Sequence, residues 1–260
     1  MKTCVTRMVW PEVQEALDRN ATVLIPLASV EPSGRHAVMG GESFIADYFT
    51  QGVAERTGSI WLPTMPFGYA PNFMDFPGTI TLKSSTLAVV LEDVCLAVIH
   101  HGFDHLFIVD NHSGNEAVVE QVARKIRKDT GIIMGNVLLP PVMQAVAKDL
   151  YQDLKSVLGH GGEPGVSARV FLCPDDMRID LAVKTEVVPY HGLKVVGNKV
   201  QQGDASWTLF LNFRETNPSG GSGYSFEPDA EKGKIIMNRM VDWGVKVVES
   251  FKSIPTKEGK

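Results

Sequence analysis

The sequence predicts an α/β fold in which helices cover both faces of a mostly parallel sheet. Short apolar runs alternate with longer helical patterns through the first half of the chain. Two parallel strands must be joined by a long crossover, which is usually a helix. Strands that alternate with helices along the chain therefore indicate a parallel sheet. The apolar runs are almost uniformly hydrophobic, which is typical of strands buried on both faces.

The spacing of apolar residues places each element in turn. Strands are expected at residues 23–27, 60–62, 106–109 and 132–137, and helices at residues 10–19, 43–56, 86–101, 115–130, 142–158 and 229–251. Gly58, Gly102 and Gly131 follow three of these helices, where glycine tolerates the left-handed conformation that ends a helix. The pattern therefore predicts βαβ units joined in one sheet.

The second half of the chain is less regular. Residues 161–168 lead into a further apolar run, and residues 181–203 are expected to form strand and loop. The glycine-rich residues 217–223 predict a mobile loop, and the polar residues 252–260 predict a poorly ordered tail. No internal repeat is visible, so we expect one domain over residues 1–260.

Composition excludes several functional classes. The 260 residues carry a net charge of −5, which gives no reason to expect binding to nucleic acid or to anionic membranes. No apolar run approaches the roughly 20 residues that a membrane span needs. Three cysteines without a CxxC pair, and an N-terminus without an apolar signal region, favour a soluble cytoplasmic protein.

Polar residues cluster in the loops that follow two predicted strands. Glu31, His36 and Glu42 follow the strand at residues 23–27, and His112 follows the strand at residues 106–109. Ligands of open α/β sheets bind at the carboxyl ends of the strands. Carboxylates and an imidazole together suit a divalent metal. We therefore predict that Glu31, Glu42 and His112 hold a metal, against the alternative of solvated charges and a helix cap.

A second cluster lies in the Gly-His-Gly-Gly-Glu run at residues 159–163. His160 and Glu163 suit a general acid/base pair. The alternative is a glycine-rich turn before a helix at residues 163–172. The Phe-Pro-Gly-Thr run at residues 76–79 predicts a tight turn, and no dinucleotide-binding, phosphate-loop or nucleophile-elbow motif is present.

Five segments resemble the creatininase (creatinine amidohydrolase) family in the right order. Residues 26–42, PLASVEPSGRHAVMGGE, are similar to P-x-G-S-x-E-Q-H-G-P-H-L-P-x-x-T-D, and residues 76–82, FPGTITL, keep F-P-G-T-x-x-L. Residues 110–115, DNHSGN, resemble N-G-H-G-G-N, and residues 160–167, HGGEPGVS, resemble H-A-G-E-x-E-T-S. Residues 229–233, DAEKG, resemble A-x-x-E-K-G at the start of the last helix. The resemblance covers most of the chain.

The resemblance implies a three-layer αβα sandwich with a mostly parallel central sheet, usually assembled as a homohexamer. It implies metal-dependent hydrolysis of cyclic amides, formamides or related small polar molecules. It makes Glu31 and His112 metal ligands and His160 the catalytic histidine, and it puts Glu42 at the position of a bridging aspartate.

Besides Glu42 in place of the bridging aspartate, the sequence departs from the family pattern at four positions that bear on the site. Ser33 replaces a ligand histidine, Gly114 replaces a glutamate ligand of the second metal, Gly165 replaces the glutamate of E-T-S, and Phe73 replaces a histidine. We therefore expect one divalent metal (Zn, Mn or Fe) rather than two, with His36 as a further possible ligand. The family motifs also indicate substrate contacts by these residues: Ser33, Asn72, Gly78, Thr79 and Ser113.

The leading functional hypothesis is a metal-dependent hydrolase of a small polar cyclic carbonyl compound. One alternative is a C–C bond hydrolase that opens a diketo-inositol ring such as 3-dehydro-scyllo-inosose. A second alternative is a metal-free or non-hydrolytic family member, such as a lyase, an isomerase or a binding protein.

Overall fold

Four parallel strands form the central sheet of the protein. The computed structural model describes residues 2–185, 187–225 and 227–256. The strands are β1 (Val23–Leu27), β2 (Ile60–Trp61), β3 (Leu106–Asp110) and β4 (Gly135–Leu138), paired in the order β2-β1-β3-β4. β1 and β3 pair in parallel from Val23 opposite Leu106 to Leu27 opposite Asp110. The carboxyl ends of these two central strands therefore lie side by side.

Helices cover both faces of this sheet. The helices are α1 (Trp10–Asp18), α2 (Gly41–Thr57), α3 (Ser84–His100), α4 (Glu116–Thr130), α5 (Leu139–Ala147), α6 (Leu154–Val157), α7 (Gly165–Leu172), α8 (Phe213–Thr216) and α9 (Ala230–Lys252). Alternate residues of β1 divide between two hydrophobic clusters: Val23 and Ile25 pack with α1, α3 and α4, whereas Leu24 packs with α2, α5, α7 and α9. This division follows from the two-residue period of a strand. The predicted three-layer αβα sandwich is confirmed.

A separate small sheet follows the sandwich in sequence. Its strands are β5 (Val195–Val196), β6 (Lys199–Gln202) and β7 (Ala205–Thr208), and they pair antiparallel in that order. The sequence predicted strand and loop as far as residue 203 and missed β7. Most of the side chains of β7 are exposed, so the strand lacks the buried apolar face by which strands are recognised.

The prediction of a single helix at residues 142–158 is wrong. α5 ends at Ala147, a 3₁₀ turn follows at Lys148–Leu150, and Tyr151 has an extended backbone before α6 begins. The Tyr151 hydroxyl donates a 2.8 Å hydrogen bond to Glu163. This tertiary contact accompanies the interruption of the helix and could not be read from local spacing.

The prediction of a poorly ordered tail at residues 252–260 is also partly wrong. Lys252 is the last residue of α9, and the backbone N–H of Ile133 donates to the Thr256 carbonyl at 2.7 Å. Thr256 is buried, so the chain is anchored to the sandwich again at residue 256, although residues 253–255 are exposed. Residues 257–260 of the predicted tail lie outside the described residues.

No helix within the described ranges is both long and apolar enough to span a bilayer. The three cysteines are buried and unbridged, in line with the absence of a paired-cysteine motif.

We predict that Gly233→Ala destabilises the contact between α7 and α9. A Cβ atom at Gly233 would lie 2.0 Å from the Ser167 carbonyl oxygen, so one helix must move. Overpacking of this kind costs about 1–3 kcal/mol, more than the roughly 1 kcal/mol by which alanine favours a helix over glycine. Urea denaturation measures the loss. Lys234→Ala, on the exposed side of the same helix, is the matched control, and equal stability of the two variants would contradict the prediction.

Candidate active site

The ends of β1 and β3 bring the predicted site residues together. Leu27 and Asp110 are register partners at the last paired positions of the two strands. Glu31 follows β1 in the loop that leads to α2, and Glu42 lies in the first turn of that helix. His112 lies two residues after the end of β3. The parallel register therefore determines which loops share the site.

Glu31 lies between two imidazoles. Its carboxylate is 1% exposed. Oε2 lies 2.8 Å from Nδ1 of His112, and Oε1 lies 3.8 Å from Nδ1 of His160. Burial alone would raise the pKa of Glu31, but the hydrogen bond and charge of His112 outweigh burial and hold the pKa below its usual value. Glu31 is therefore an anion that links the two histidines.

His112 is held from both sides of its ring. Nε2 lies 3.0 Å from the Tyr69 carbonyl oxygen, opposite the nitrogen that faces Glu31. Burial would lower the pKa of His112, but Glu31 and the Tyr69 carbonyl outweigh burial and raise the pKa to about 9. An imidazole whose outer nitrogen faces a carbonyl has the orientation usual for a metal ligand.

Glu42 forms a buried ion pair with Arg169, a residue that the sequence analysis missed. Nη2 of Arg169 donates to Oε1 of Glu42, and both side chains are 7% exposed. Burial raises the pKa of Glu42, and the Arg169 guanidinium opposes that rise. The signal that could have identified Arg169 is a lone charge within the apolar face of α7, whose neighbours Val166 and Ala168 are buried.

His160 lies at the more open side of the site. Its side chain is 34% exposed, and its ring centroid lies 5.1 Å from that of Phe73 and 5.3 Å from that of Phe213. The backbone N–H groups of Ser222 and Gly223 donate to the His160 carbonyl at 2.9 and 3.1 Å. The loop predicted to be mobile is thus hydrogen-bonded to the backbone of the predicted catalytic histidine.

Glu163 is buried and surrounded by donors. Oε1 accepts hydrogen bonds from Ser167 Oγ at 2.9 Å and Ser225 Oγ at 2.7 Å, and Oε2 accepts one from the Tyr151 hydroxyl at 2.8 Å. A carboxylate with this many donors is well suited to hold neighbouring segments together. Its predicted role in acid/base chemistry stays a prediction.

Two asparagines hold the ends of the strands in place. The sequence predictions assigned a role to neither of them. Asn111 Nδ2 donates to the Glu42 carbonyl at 2.9 Å, which ties β3 to the start of α2. Asn115 Oδ1 accepts from the Tyr69 N–H at 2.8 Å, and its Nδ2 donates to Asp110 Oδ1 at 3.0 Å. Both asparagines belong to the motif at residues 110–115, and that motif was the feature of the sequence that could have identified them.

One cavity of about 220 Å³ joins these groups. Its lining includes the predicted residues Glu31, Ser33, Glu42, His112, Ser113, His160 and Glu163, together with Arg169. The predicted residues that lie elsewhere are His36, Asn72, Gly78 and Thr79. Thr79 instead donates its hydroxyl to the Phe73 carbonyl at 2.9 Å, inside the tight turn. His36 is buried, which lowers its pKa, and Arg169 lowers it further.

The side chains around the cavity include the types of donor that a divalent ion prefers. Among the residues described, no three His, Cys, Asp or Glu side chains already converge as a metal site. Glu31, Glu42 and His112 nevertheless supply carboxylate oxygen and imidazole nitrogen, and the buried Oε2 of Glu42 has no hydrogen-bond partner. At two positions where the resemblance implies further ligands, Ser33 Oγ already accepts from the Gly161 N–H at 3.0 Å and Gly114 has no side chain.

We predict that Asp110→Asn gains stability relative to the wild type as the pH rises. Burial raises the pKa of Asp110 to about 7, although Asn115 and the His112 N–H lower it. The folded state therefore holds a proton that the unfolded chain loses near its usual pKa of about 4. The protonated Asp110 therefore contributes fully to the free energy of unfolding below a pH of about 4. This contribution is lost as the pH rises through about 7. The difference in melting temperature between variant and wild type should grow from pH 5 to pH 8, and a constant difference would contradict this.

Known proteins resemble the chain in sequence and in fold. It is 26% identical to creatinine amidohydrolase of Pseudomonas putida over 195 residues, which cover 69% of this chain and 75% of that protein. It is 24% identical over 256 residues to 3-dehydro-scyllo-inosose hydrolase of Thermotoga maritima, covering 94% of this chain and 82% of that one. A solved structure named creatininase Mn has a TM-score of 0.76 at 20% identity and covers 96% of this chain and 99% of its own.

The family model described as creatinine amidohydrolase matches residues 6–248. That match spans nearly the whole sandwich, and the relatives found with it are hydrolases. The predicted resemblance is therefore confirmed, and the low identities mark a divergent member. The chain belongs to the creatininase family.

Proposed function

We propose that the chain is a hydrolase that opens a small polar cyclic carbonyl compound with the help of one divalent metal ion. The observation that carries the proposal is the arrangement of Glu31, Glu42, His112 and His160 around one cavity at the ends of β1 and β3. Glu31, Glu42 and His112 would hold the ion. When bound, such an ion polarises a carbonyl group and makes a water molecule more acidic.

His160 is placed to move a proton at the substrate. Glu31 faces its Nδ1 at 3.8 Å, which is long for a hydrogen bond but favours the tautomer with the proton on that nitrogen. Nε2 is then free to exchange a proton with a group in the cavity, because the side chain is partly exposed. In amide hydrolysis, Nε2 takes a proton from the attacking water as the water oxygen bonds to the carbonyl carbon. The C–N bond then breaks, and the leaving nitrogen takes that proton.

Glu163 acts in this proposal by positioning His160 rather than by moving protons. Its carboxylate joins Tyr151, Ser167 and Ser225 through hydrogen bonds of 2.7 to 2.9 Å. These contacts hold residues 160–163 against the first turn of α7, Tyr151 and Ser225. In this proposal His160 carries the proton, and Glu163 holds in place the segment that contains His160.

The cavity favours a small substrate. Its volume of about 220 Å³ is below the range of roughly 300–1,000 Å³ that drug-sized ligands occupy. The lining combines charged groups with the ring of His160, which is flanked by Phe73 and Phe213. A compact ring with polar substituents matches both features.

A C–C bond hydrolase is the second candidate. The alignment with 3-dehydro-scyllo-inosose hydrolase covers 94% of the chain, whereas that with creatinine amidohydrolase covers 69%. In that reaction water adds to a ring ketone, the neighbouring C–C bond breaks, and the carbon that leaves takes the proton. The same residues serve both reactions, so substrate turnover must distinguish them.

We also propose a single catalytic domain and a cytoplasmic homo-oligomer, a hexamer by family membership. Light scattering of the purified chain measures the assembly.

We predict about one divalent ion per chain in protein purified without chelator, and turnover of creatinine or of 3-dehydro-scyllo-inosose. Elemental analysis measures the ion, and chromatography of the products measures turnover. Stripping the ion should abolish turnover, and adding back Zn, Mn or Fe should restore it. Failure to hydrolyse either compound with each of these metals present would sink the proposal.

We predict that His160→Asn lowers kcat by about 10²–10⁴-fold, the usual contribution of a general acid or base. Asparagine keeps a polar side chain but cannot exchange the proton. His191→Asn is the matched control: His191 is exposed and has φ of 46°, a conformation that asparagine tolerates. Equal kcat for both variants would remove His160 from the mechanism.

A further inference from the structure

Arg169 extends from α7 into the candidate active site and stops against Glu42. Nη2 contacts one carboxylate oxygen, Oε1, and each side chain is 7% exposed. The elements that carry the two residues pack together, since α2 and α7 share a face of the sandwich. The cavity therefore contains a permanent positive charge supplied by the chain itself.

Two glycines provide the space for this side chain. A Cβ atom at Gly41 would lie 2.1 Å from Nε of Arg169, and one at Gly165 would lie 2.8 Å from Nη1. Real Cβ atoms do not approach a neighbouring atom this closely. Gly41 precedes Glu42, and Gly165 lies one helical turn before Arg169. The backbone on both sides is thus fitted to the guanidinium.

The ion pair uses only one of the two carboxylate oxygens of Glu42. Oε2 of Glu42 is buried and has no hydrogen-bond partner, and Nε of Arg169 is likewise without one. A two-point pair between arginine and a carboxylate would satisfy both oxygens. Glu42 can therefore offer Oε2 to a second cation while Arg169 retains Oε1.

We infer that Arg169 is the resident cation of the site, which competes with a divalent metal for Glu42 and lowers the affinity of the site for that ion. The inference rests on the proposed function for the location of the metal. Two cations that share one buried carboxylate repel each other strongly where water is scarce. Removing the guanidinium should therefore strengthen metal binding.

The test measures Mn²⁺ binding by the full chain after removal of metals with chelator. Electron paramagnetic resonance counts the free Mn²⁺, so Kd and stoichiometry are obtained without any substrate. We expect Arg169→Met and Arg169→Gln to bind Mn²⁺ at least tenfold more tightly than the wild type. Arg169→Lys is the matched control, which keeps the charge and should stay within about threefold of the wild type.

A double variant shows whether the gain acts through Glu42. Glu42→Gln combined with Arg169→Met removes both charges, and a buried ion pair can often be replaced in this way without unfolding. Its Kd should return to or exceed the wild-type value. Circular dichroism identifies folded variants, and Arg169→Gln, which can still hydrogen-bond to Glu42, decides the matter where Arg169→Met does not fold.

Two results would overturn the inference. One is an unchanged Kd and stoichiometry in the folded neutral variants, including the case in which neither they nor the wild type bind Mn²⁺. The other is an equal gain in Arg169→Lys, which would assign the effect to side-chain shape. Hydrolysis by the wild type together with an unchanged Kd rejects this inference alone, whereas a tighter Kd without hydrolysis rejects the proposed function alone.

Discussion

The burial of two carboxylates at neighbouring strand ends is the constraint on which the site depends. Glu31 and Glu42 are both nearly inaccessible to solvent, and an unpaired buried charge costs several kcal/mol. Each therefore has its own cation: His112 stands beside Glu31 and Arg169 beside Glu42. The remaining contacts of the cavity support these two pairs.

The fold supplies these pairs from separate elements. β1 and β3 deliver Glu31 and His112, the first turn of α2 delivers Glu42, and α7 delivers Arg169. Asn111 and Asn115 join the elements by hydrogen bonds that fix the strand ends relative to α2 and to Tyr69. The geometry of the site is thus a property of the packed sandwich rather than of any single loop.

Sequence patterns predicted the sandwich well because β1 and β3 are buried along their whole length and helices such as α4 and α9 are amphipathic. The approximate positions of β1 and β3 follow from their uniform hydrophobicity, and the convergence of Glu31 with His112 follows from the parallel order. Arg169 was missed because it lies within a helix rather than after a strand, so only the packing of α7 against α2 brings it to Glu42. The interruption after α5 was missed for a similar reason, since the contact between Tyr151 and Glu163 joins different elements.

The glycines that surround the site have a consequence for how the sequence can change. A Cβ atom at Gly114 would lie 2.3 Å from both His112 Nε2 and the Tyr69 carbonyl oxygen, and one at Gly165 would meet the Arg169 guanidinium. A side chain at residue 114 therefore has no room beside the backbone of Tyr69, whereas one at residue 165 meets only the end of the flexible Arg169 side chain. An acidic ligand at residue 114 requires the backbone to move, whereas one at residue 165 requires only that Arg169 shift or be replaced.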